Sequence, residues 1–283
     1  MPELPEVETM VRGIRPVVSG RTIRDVVACP NSCKPISITP SFRVLRDHLV
    51  GKKVTDVRRL GKRVVFDVSG GANLVIEPRM TGLMVLANPP STQHLRLRFD
   101  FRGRAEFDSL WFWDRRGLGT VTLLEPGEIE TRFGPEAIGV DALEMTVEAW
   151  IDCCGKSRRE IKVLLLDQKM VAGIGNLYAS EILHLAGINP MTPANELSRK
   201  SIRQLSIASQ SILRTAIDDE GSTLGDGTYR NALSQSGKYQ NRHRVYMREG
   251  QPCSICRNGK ITRIVQAQRS TFLCQCCQGI SLK

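Results

Sequence analysis

The chain has 283 residues, 41% of them hydrophobic, and 40 basic against 29 acidic side chains give it a formal net charge of +11 at pH 7. This hydrophobic content supports one or two packed domains and excludes a disordered chain. No apolar run reaches the roughly 18 residues of a membrane span. The first residues lack the basic and then apolar run of a signal peptide. Together these features predict a cytoplasmic protein without membrane contact. The positive charge favours a polyanionic partner, most often nucleic acid.

The first residues carry a possible covalent catalyst. If Met1 is removed, Pro2 has a terminal secondary amine. An α-amino group titrates near pH ~8 and a lysine near ~10.4, so the terminal amine has the larger nucleophilic fraction at neutral pH. The carboxyl of Glu3 beside it can transfer protons. On these residues alone, a capped entry to a helix, with Pro5 in its first turn, is the plainer interpretation.

The first half of the chain is predicted to be rich in strands. Helical spacing runs from Val7 to Ile14 with a stop at Gly20, and a second, short helix covers 41–50. Alternating or β-branched runs predict strands at 22–28, 54–60, 63–68, 73–76, 83–86, 94–101, 105–112 and 120–124. Closely spaced strands without long helices between them favour an antiparallel sandwich.

The second half of the chain has a helical pattern. Helices are predicted at 147–154, 158–168, 176–186 and 197–218. We therefore expect an α+β fold with an N-terminal β-sandwich domain over 1–134, a linker over 135–145, a helical domain over 146–245 and a finger over 246–283.

The finger is predicted from the cysteines. Five of the nine lie at 253–277, where two Cys-x-x-Cys pairs are separated by seventeen residues. This spacing is typical of a tetrahedral four-cysteine zinc site on a hairpin, and an odd, clustered set argues against disulfides. We predict one structural Zn²⁺ bound by Cys253, Cys256, Cys274 and Cys277. Cys276 is a spare thiol that can compete with Cys277.

Three stretches together resemble one family of DNA repair enzymes. The start Met-Pro-Glu-Leu-Pro-Glu-Val-Glu-Thr, the run 167–181 with its Gly-Ile-Gly-Asn, and the cysteine pairs occur in the order found in formamidopyrimidine-DNA glycosylases. The resemblance covers nearly the whole chain. The run 167–181 is similar to the helix-two-turn-helix signature of these enzymes, which implies that 146–245 is a helix-two-turn-helix DNA-binding domain. It implies a monomeric glycosylase and abasic-site lyase that removes oxidised purines from double-stranded DNA, with no organic cofactor. In such an enzyme Pro2 forms a Schiff base with the sugar and Glu3 is the general acid-base.

The resemblance also assigns the other site residues. Lys62, in Arg59-Leu60-Gly61-Lys62, belongs to the active site, and Arg269 on the finger hairpin reaches the DNA. Further DNA contacts are implied for His94, Met80, Arg116, Leu118, Lys162, Asn176 and Tyr246.

Several of these DNA contacts have a stated role in the family. Met80, Arg116 and Leu118 fill the space left by an everted base. Asn176 grips a phosphate, and Lys162 lies near the damaged base. Without the resemblance, the plainer interpretations are a solvated lysine, a buried methionine, a hairpin turn and a tight turn between helices.

The chain departs from the family pattern in two places. It has Glu77-Pro78-Arg79-Met80-Thr81-Gly82 where the family often has His-Leu-Gly-Met-Ser-Gly. It has Gly117 and Leu118 where the family has Arg-Phe, so a phosphate-contacting arginine and an aromatic wedge are missing.

The substrate class is predicted from the stretch 221–244. This Gly- and Ser-rich stretch resembles the loop that closes over 8-oxoguanine in the purine-specific branch, although a mobile linker is the plainer interpretation. Two other functions stay open: an endonuclease VIII-like glycosylase for oxidised pyrimidines, and a zinc-finger DNA-binding protein without catalysis.

Overall fold

The computed structural model describes residues 2–30, 33–103 and 105–279, so Met1 and its predicted removal lie outside the described residues. The chain divides into two compact units. Unit 1 comprises Met1–Ala137 and Ile217–Gln240, and unit 2 comprises Ile138–Ala216 and Asn241–Lys283. The predicted domain boundaries remain predictions. The contacts add that 217–240, which follows the helices in sequence, packs with the N-terminal unit.

Unit 1 is a β-sandwich with flanking helices. Its elements are α1 (Leu4–Val18), β1 (Ile23–Ala28), β2 (Ser37–Thr39), α2 (Phe42–Leu49), β3 (Val54–Leu60), β4 (Arg63–Val68), β5 (Asn73–Glu77), β6 (Gly82–Val85), β7 (Leu95–Phe101), β8 (Ser109–Asp114), β9 (Thr120–Leu124) and α3 (Glu128–Phe133). One sheet has the order β1-β7-β8-β6 and the other β2-β9-β5-β4-β3. The predicted sandwich is confirmed. Its pairs are antiparallel except β2 with β9, which are parallel. The three-residue strand β2 was not predicted, because it is too short to show a period.

The core of unit 1 lies between the sheets and α1. Val7 and Met10 of α1, Val57 of β3 and Leu83 of β6 belong to one buried cluster. The apolar stripe of α1 thereby holds its first turn against the sandwich.

Strand β7 is buried on both faces, although its strict alternation predicts one solvated face. Arg96 and Asp100 are only 4% and 5% exposed. Arg96 donates from Nε to the carbonyl oxygen of Asp114 at 2.8 Å, and Asp100 accepts from the hydroxyl of Ser109 at 2.7 Å. Hydrogen bonding therefore replaces the water that these polar groups lose.

Unit 2 contains the helical part and the finger hairpin. Its elements are β10 (Val140–Asp141), α4 (Val147–Gly155), α5 (Ile161–Leu166), β11 (Val171–Ala172), α6 (Asn176–Leu185), α7 (Arg199–Asp218), β12 (Ile261–Gln266) and β13 (Arg269–Cys274). Strands β12 and β13 form the antiparallel finger hairpin, and α6 packs against β13. Among the described residues, no helix is both long and apolar enough to cross a membrane.

Candidate functional site

Pro2 and Glu3 are buried immediately before α1, in unit 1. The Glu3 backbone N–H donates to Oε2 of Glu6 at 2.9 Å, and Oε1 of Glu6 accepts from the backbone N–H of Ser222 at 2.9 Å. Glu6 itself is 2% exposed. One carboxylate therefore holds both the residues before the helix and the loop 221–240. Sequence reasoning did not find this contact, because Ser222 lies 216 residues from Glu6.

A small cavity opens at Pro2. Its volume is about 10 Å³, which is room for about one water molecule. It is lined by Pro2, Met80, Thr81, Leu83, Ser222, Leu224, Asp226, Thr228 and Tyr229. The structure thus brings the predicted nucleophile, the predicted wedge Met80 and the loop 221–240 to one place.

Lys62 lies half-buried in the tight turn between β3 and β4, where Gly61 has φ +57°. Arg59 donates from Nε to Oε2 of Glu8 at 2.9 Å and from a terminal nitrogen to the carbonyl oxygen of Gly61 at 3.2 Å. Arg59 thereby links α1 to the turn that carries Lys62. Burial raises the pKa of Glu8, but the hydrogen bonds from Arg59 and Arg12 outweigh burial and leave that pKa below its usual value. The sequence motif contained Arg59, but nothing in it indicated this partner.

The two predicted wedge turns meet at the carboxylate of Asp114, which is fully buried. Its Oδ1 accepts from the Thr81 hydroxyl and, at 3.2 Å, from the Arg116 backbone N–H. Its Oδ2 accepts from the Gly119 backbone N–H at 2.8 Å. Asp114 therefore positions the turn that carries Met80 and the turn that carries Arg116. Sequence reasoning gave this aspartate no role.

His94 lies beside the same aspartate. Its carbonyl oxygen accepts from the Asp114 N–H at 2.9 Å, and its ring stands edge-on to Trp113, with the ring centres 5.5 Å apart. Its Nδ1 lies 3.4 Å from Sγ of Cys33. The side chain is partly exposed, so a DNA contact by His94 stays a prediction.

The loop 221–240 is tied together at its ends. The Lys238 N–H donates to the Asp219 carbonyl at 2.8 Å, and the Tyr239 N–H donates to the Gly221 carbonyl at 3.0 Å. A Cβ on Gly237 would lie 2.3 Å from the Gly221 carbonyl oxygen, so this close approach requires glycine. These contacts fix the two ends of the loop within unit 1.

The finger hairpin of unit 2 presents Arg269 at its tip. The turn before β13 has two residues with positive φ, Ala267 at +44° and Gln268 at +61°, and Arg269 follows them with an exposed side chain. Tyr246 is half-buried, and its ring packs edge-on to Phe272 of β13 at 5.2 Å between centres.

The cysteine cluster fits a zinc ion. The Sγ atoms that lie within 4.8 Å of one another belong to Cys253, Cys256, Cys274 and Cys277. Two of the Sγ–Sγ distances are 3.6 and 3.7 Å, and Zn–S bonds of about 2.3 Å in a tetrahedron require about 3.8 Å. The Gly259 N–H donates to Cys256 Sγ at 3.3 Å and helps lower the pKa of that thiol to about 6. Four thiolates leave no position for water, so the metal is structural. Cys276 is exposed and outside the cluster.

The chain matches known proteins along most of its length. Family models match the formamidopyrimidine-DNA glycosylase N-terminal domain at residues 1–121, the H2TH domain of these enzymes at 133–227, and the zinc finger found in FPG and IleRS at 250–279. The formamidopyrimidine-DNA glycosylase of Chloroflexus aurantiacus is 37% identical over 284 residues, covering 98% of both chains.

Solved structures agree. The crystal structure of the MutM (Fpg) protein from Thermus thermophilus has a TM-score of 0.84 at 35% identity, covering 98% of this chain and 99% of that one. The Lactococcus lactis Fpg, in complex with DNA containing an abasic site, has a TM-score of 0.86 at 31% identity over the same shares. The chain belongs to the formamidopyrimidine-DNA glycosylase family. This membership confirms the resemblance predicted from the three motifs.

The structure shows the local backbone at the two places where the chain departs from the formamidopyrimidine-DNA glycosylase pattern. Arg79 stands where the family often has glycine and keeps a left-handed backbone, with φ +55°. Gly117 has φ +60°, and a Cβ there would lie 2.2 Å from the carbonyl oxygen of Lys34. A larger residue therefore does not fit at position 117, and Leu118 beside it is half-buried.

The expected contact of Lys162 with the damaged base stays a prediction, and the structure shows which protein groups Lys162 binds. Its side chain has no exposed surface, and Nζ donates to Asn176 Oδ1 at 2.8 Å, to Thr271 Oγ1 at 2.5 Å and to the Ser270 carbonyl at 3.1 Å. Asn176 donates from Nδ2 to the same carbonyl at 3.0 Å. With three hydrogen bonds the ammonium is saturated, so in this structure Lys162 holds Asn176 and β13 together.

Proposed function

We propose that this chain is a DNA glycosylase and abasic-site lyase that excises 8-oxoguanine and formamidopyrimidines from duplex DNA in base excision repair. The observation that carries the proposal is the buried Pro2 and Glu3 pair, held by Glu6 at the edge of a cavity that the loop 221–240 closes. Relatives at 35–37% identity bear the enzyme's name, and Lactococcus lactis Fpg has been solved with DNA containing a formamidopyrimidine lesion or an abasic site.

The reaction needs a nucleophile and a proton carrier. After loss of Met1, the Pro2 nitrogen attacks C1′ of the damaged nucleotide, the glycosidic bond breaks, and the base leaves with a proton. The C1′–O4′ bond then opens, O4′ takes up a proton, and the nitrogen lone pair forms an iminium at C1′. The iminium acidifies the C2′ proton, whose removal expels the 3′ phosphate, and removal of the C4′ proton then expels the 5′ phosphate. Glu3 transfers protons at the sugar ring oxygen and the leaving groups. Lys62 and Arg269 bind the sugar-phosphate and stabilise its charge.

Base eversion has to move the loop. The cavity at Pro2 holds about one water, so a purine enters only when the segment from Ser222 to Tyr229 shifts outward. Backbone N–H groups of this loop then read the oxidised edge of the base.

The remaining DNA contacts have separate roles. Met80, Arg116 and Leu118 enter the duplex where the base has left it. Asn176 contacts a backbone phosphate, His94 and Tyr246 make further contacts with the DNA, and Lys162 positions Asn176. The protein acts as a monomer in the cytoplasm, on nucleoid DNA.

A second candidate function rests on Leu118. An aliphatic wedge is a feature of the endonuclease VIII branch, which prefers oxidised pyrimidines. We expect 8-oxoguanine opposite cytosine to be excised faster than thymine glycol, because the start of the chain and the loop 221–240 resemble the purine branch. Single-turnover excision rates on the two duplexes distinguish the purine-specific function from the pyrimidine-specific one. Faster excision of thymine glycol would assign the protein to the endonuclease VIII branch.

Borohydride trapping tests the chemistry. Reduction during reaction with lesion-containing duplex should join the protein to DNA, and peptide mass analysis should place the link on Pro2. Pro2→Gly and a protein that keeps Met1 should lose most excision and trapping. Full trapping with Met1 retained places the nucleophile elsewhere, and no trapping with any lesion favours a DNA-binding protein without catalysis.

A further inference from the structure

A buried histidine of α6 contacts one of the predicted zinc ligands. His184 is 1% exposed, and its Nε2 lies 3.3 Å from Sγ of Cys253, which is also 1% exposed. The two residues are 69 positions apart in sequence and lie in the same compact unit. No motif in the sequence predicted this contact.

The direction of this hydrogen bond follows from the chemistry of a metal-bound cysteine. A cysteine that ligates zinc is a thiolate, which has no proton and can only accept. The proton between the two groups therefore sits on Nε2 of His184. Nδ1 of the ring is buried, and among the described residues it has no hydrogen-bond partner. The neutral ring with its single proton on Nε2 is thus the form that donates to the thiolate and leaves no N–H at the buried Nδ1.

The same helix holds the finger at other points. Glu181, one turn before His184, accepts backbone N–H groups from Arg244, Val245 and Tyr246 at 2.8 to 2.9 Å. These residues precede the first cysteine pair. After the second pair, Gln278 donates from Nε2 to the Ile188 carbonyl at 2.8 Å. Helix α6 and the turn after it therefore bind both ends of the finger.

We propose that His184 is a positioning residue of the zinc site, which donates its Nε2–H to the Cys253 thiolate and so makes zinc retention depend on α6. The hydrogen bond orients the sulfur and spreads its negative charge, as outer partners of metal ligands do elsewhere. Zinc binding and the packing of α6, whose first residue is Asn176, are then linked. The inference concerns the metal site and stands apart from the glycosylase chemistry.

Zinc release from the full-length protein tests the hydrogen bond. His184→Phe keeps a ring of similar volume without a donor, and His184→Gln places an amide N–H near the position of Nε2. We expect the Phe variant to bind zinc about 10 to 100 times more weakly in competition with a chromogenic chelator, and the Gln variant to recover most of this loss. Release from His184→Phe at the wild-type rate, or equal losses in both variants, overturns the proposal.

A second measurement uses the unaltered side chain. In protein loaded with ¹¹³Cd and labelled with ¹⁵N-histidine, the ring should carry its proton on Nε2, with a scalar coupling to the metal through the N–H···S bond. A proton on Nδ1 with bare Nε2 overturns the proposal. Borohydride trapping on Pro2 reports separately on the reaction, so failure of either idea leaves the other testable.

Discussion

At the scale of single residues, Glu8 links α1, through Arg59, to the turn that carries Lys62. Its carboxylate accepts from Arg59 and Arg12, each at 2.9 Å, and these bonds keep its pKa below the ordinary value. A group whose pKa is lowered on folding stabilises the fold above its unfolded pKa of about 4.3, and this stabilisation is lost as the pH falls through the folded value.

We expect Glu8→Gln to lower the free energy of unfolding by about 1 to 2 kcal/mol at pH 7, because a charged acceptor is replaced by a neutral one. Below about pH 4.5 the difference from wild type should shrink, since the wild-type carboxyl becomes protonated. Urea unfolding at a series of pH values measures this. A constant difference between the two proteins from pH 7 to pH 3 would show that the charge of Glu8 is not the cause.

Asn176 has a proposed contact with a DNA phosphate and an observed hydrogen bond with Lys162, and two substitutions separate these roles. We expect Asn176→Ala to weaken binding of damaged and undamaged duplex alike, because a phosphate contact is lost, and also to destabilise the protein, because Lys162 loses an acceptor. Thr271→Val removes another acceptor of Lys162 but leaves Asn176 and its proposed phosphate contact in place. It should lower the free energy of unfolding by about 1 to 3 kcal/mol. Anisotropy titrations and urea unfolding compare the two. Equal losses of DNA affinity in Asn176→Ala and Thr271→Val would mean that Asn176 supports the structure and does not contact a phosphate.

At the scale of elements, the turn after β8 carries Leu118, which we propose faces the partner base. Leu118→Phe should raise the ratio of excision rates opposite cytosine and opposite adenine, because an aromatic wedge stacks on its neighbours. Gly117→Arg should instead lower stability, because a Cβ there meets the Lys34 carbonyl at 2.2 Å. Single-turnover rates and melting curves measure both effects. An unchanged ratio for Leu118→Phe would show that residue 118 does not face the partner base.

At the scale of the whole molecule, the net charge of +11 and the predicted phosphate contacts make DNA binding an ion-exchange reaction. The affinity for undamaged duplex should fall roughly a thousandfold or more between 50 and 200 mM salt. Arg269→Gln should reduce the slope of log affinity against log salt by about one. Anisotropy titrations at several salt concentrations give both slopes, and an affinity that does not change with salt would contradict the proposed interface.

The sequence by itself determined the features that local spacing encodes. The elements at 54–60, 63–68 and 120–124 match β3, β4 and β9, since alternation and turn residues act between near neighbours. The zinc ligands were equally readable, because each pair lies within one Cys-x-x-Cys knuckle. Family membership followed from motifs in a fixed order along the chain.

Only the tertiary structure decided which polar side chains meet. Glu6 joins the start of α1 to Ser222, Asp114 joins the two wedge turns, Lys162 turns inward to Asn176, and His184 reaches Cys253. The pairs Glu6–Ser222, Asp114–Thr81, Lys162–Asn176 and His184–Cys253 are separated by 14 to 216 residues, so the pairing depends on how packed elements bring distant segments together.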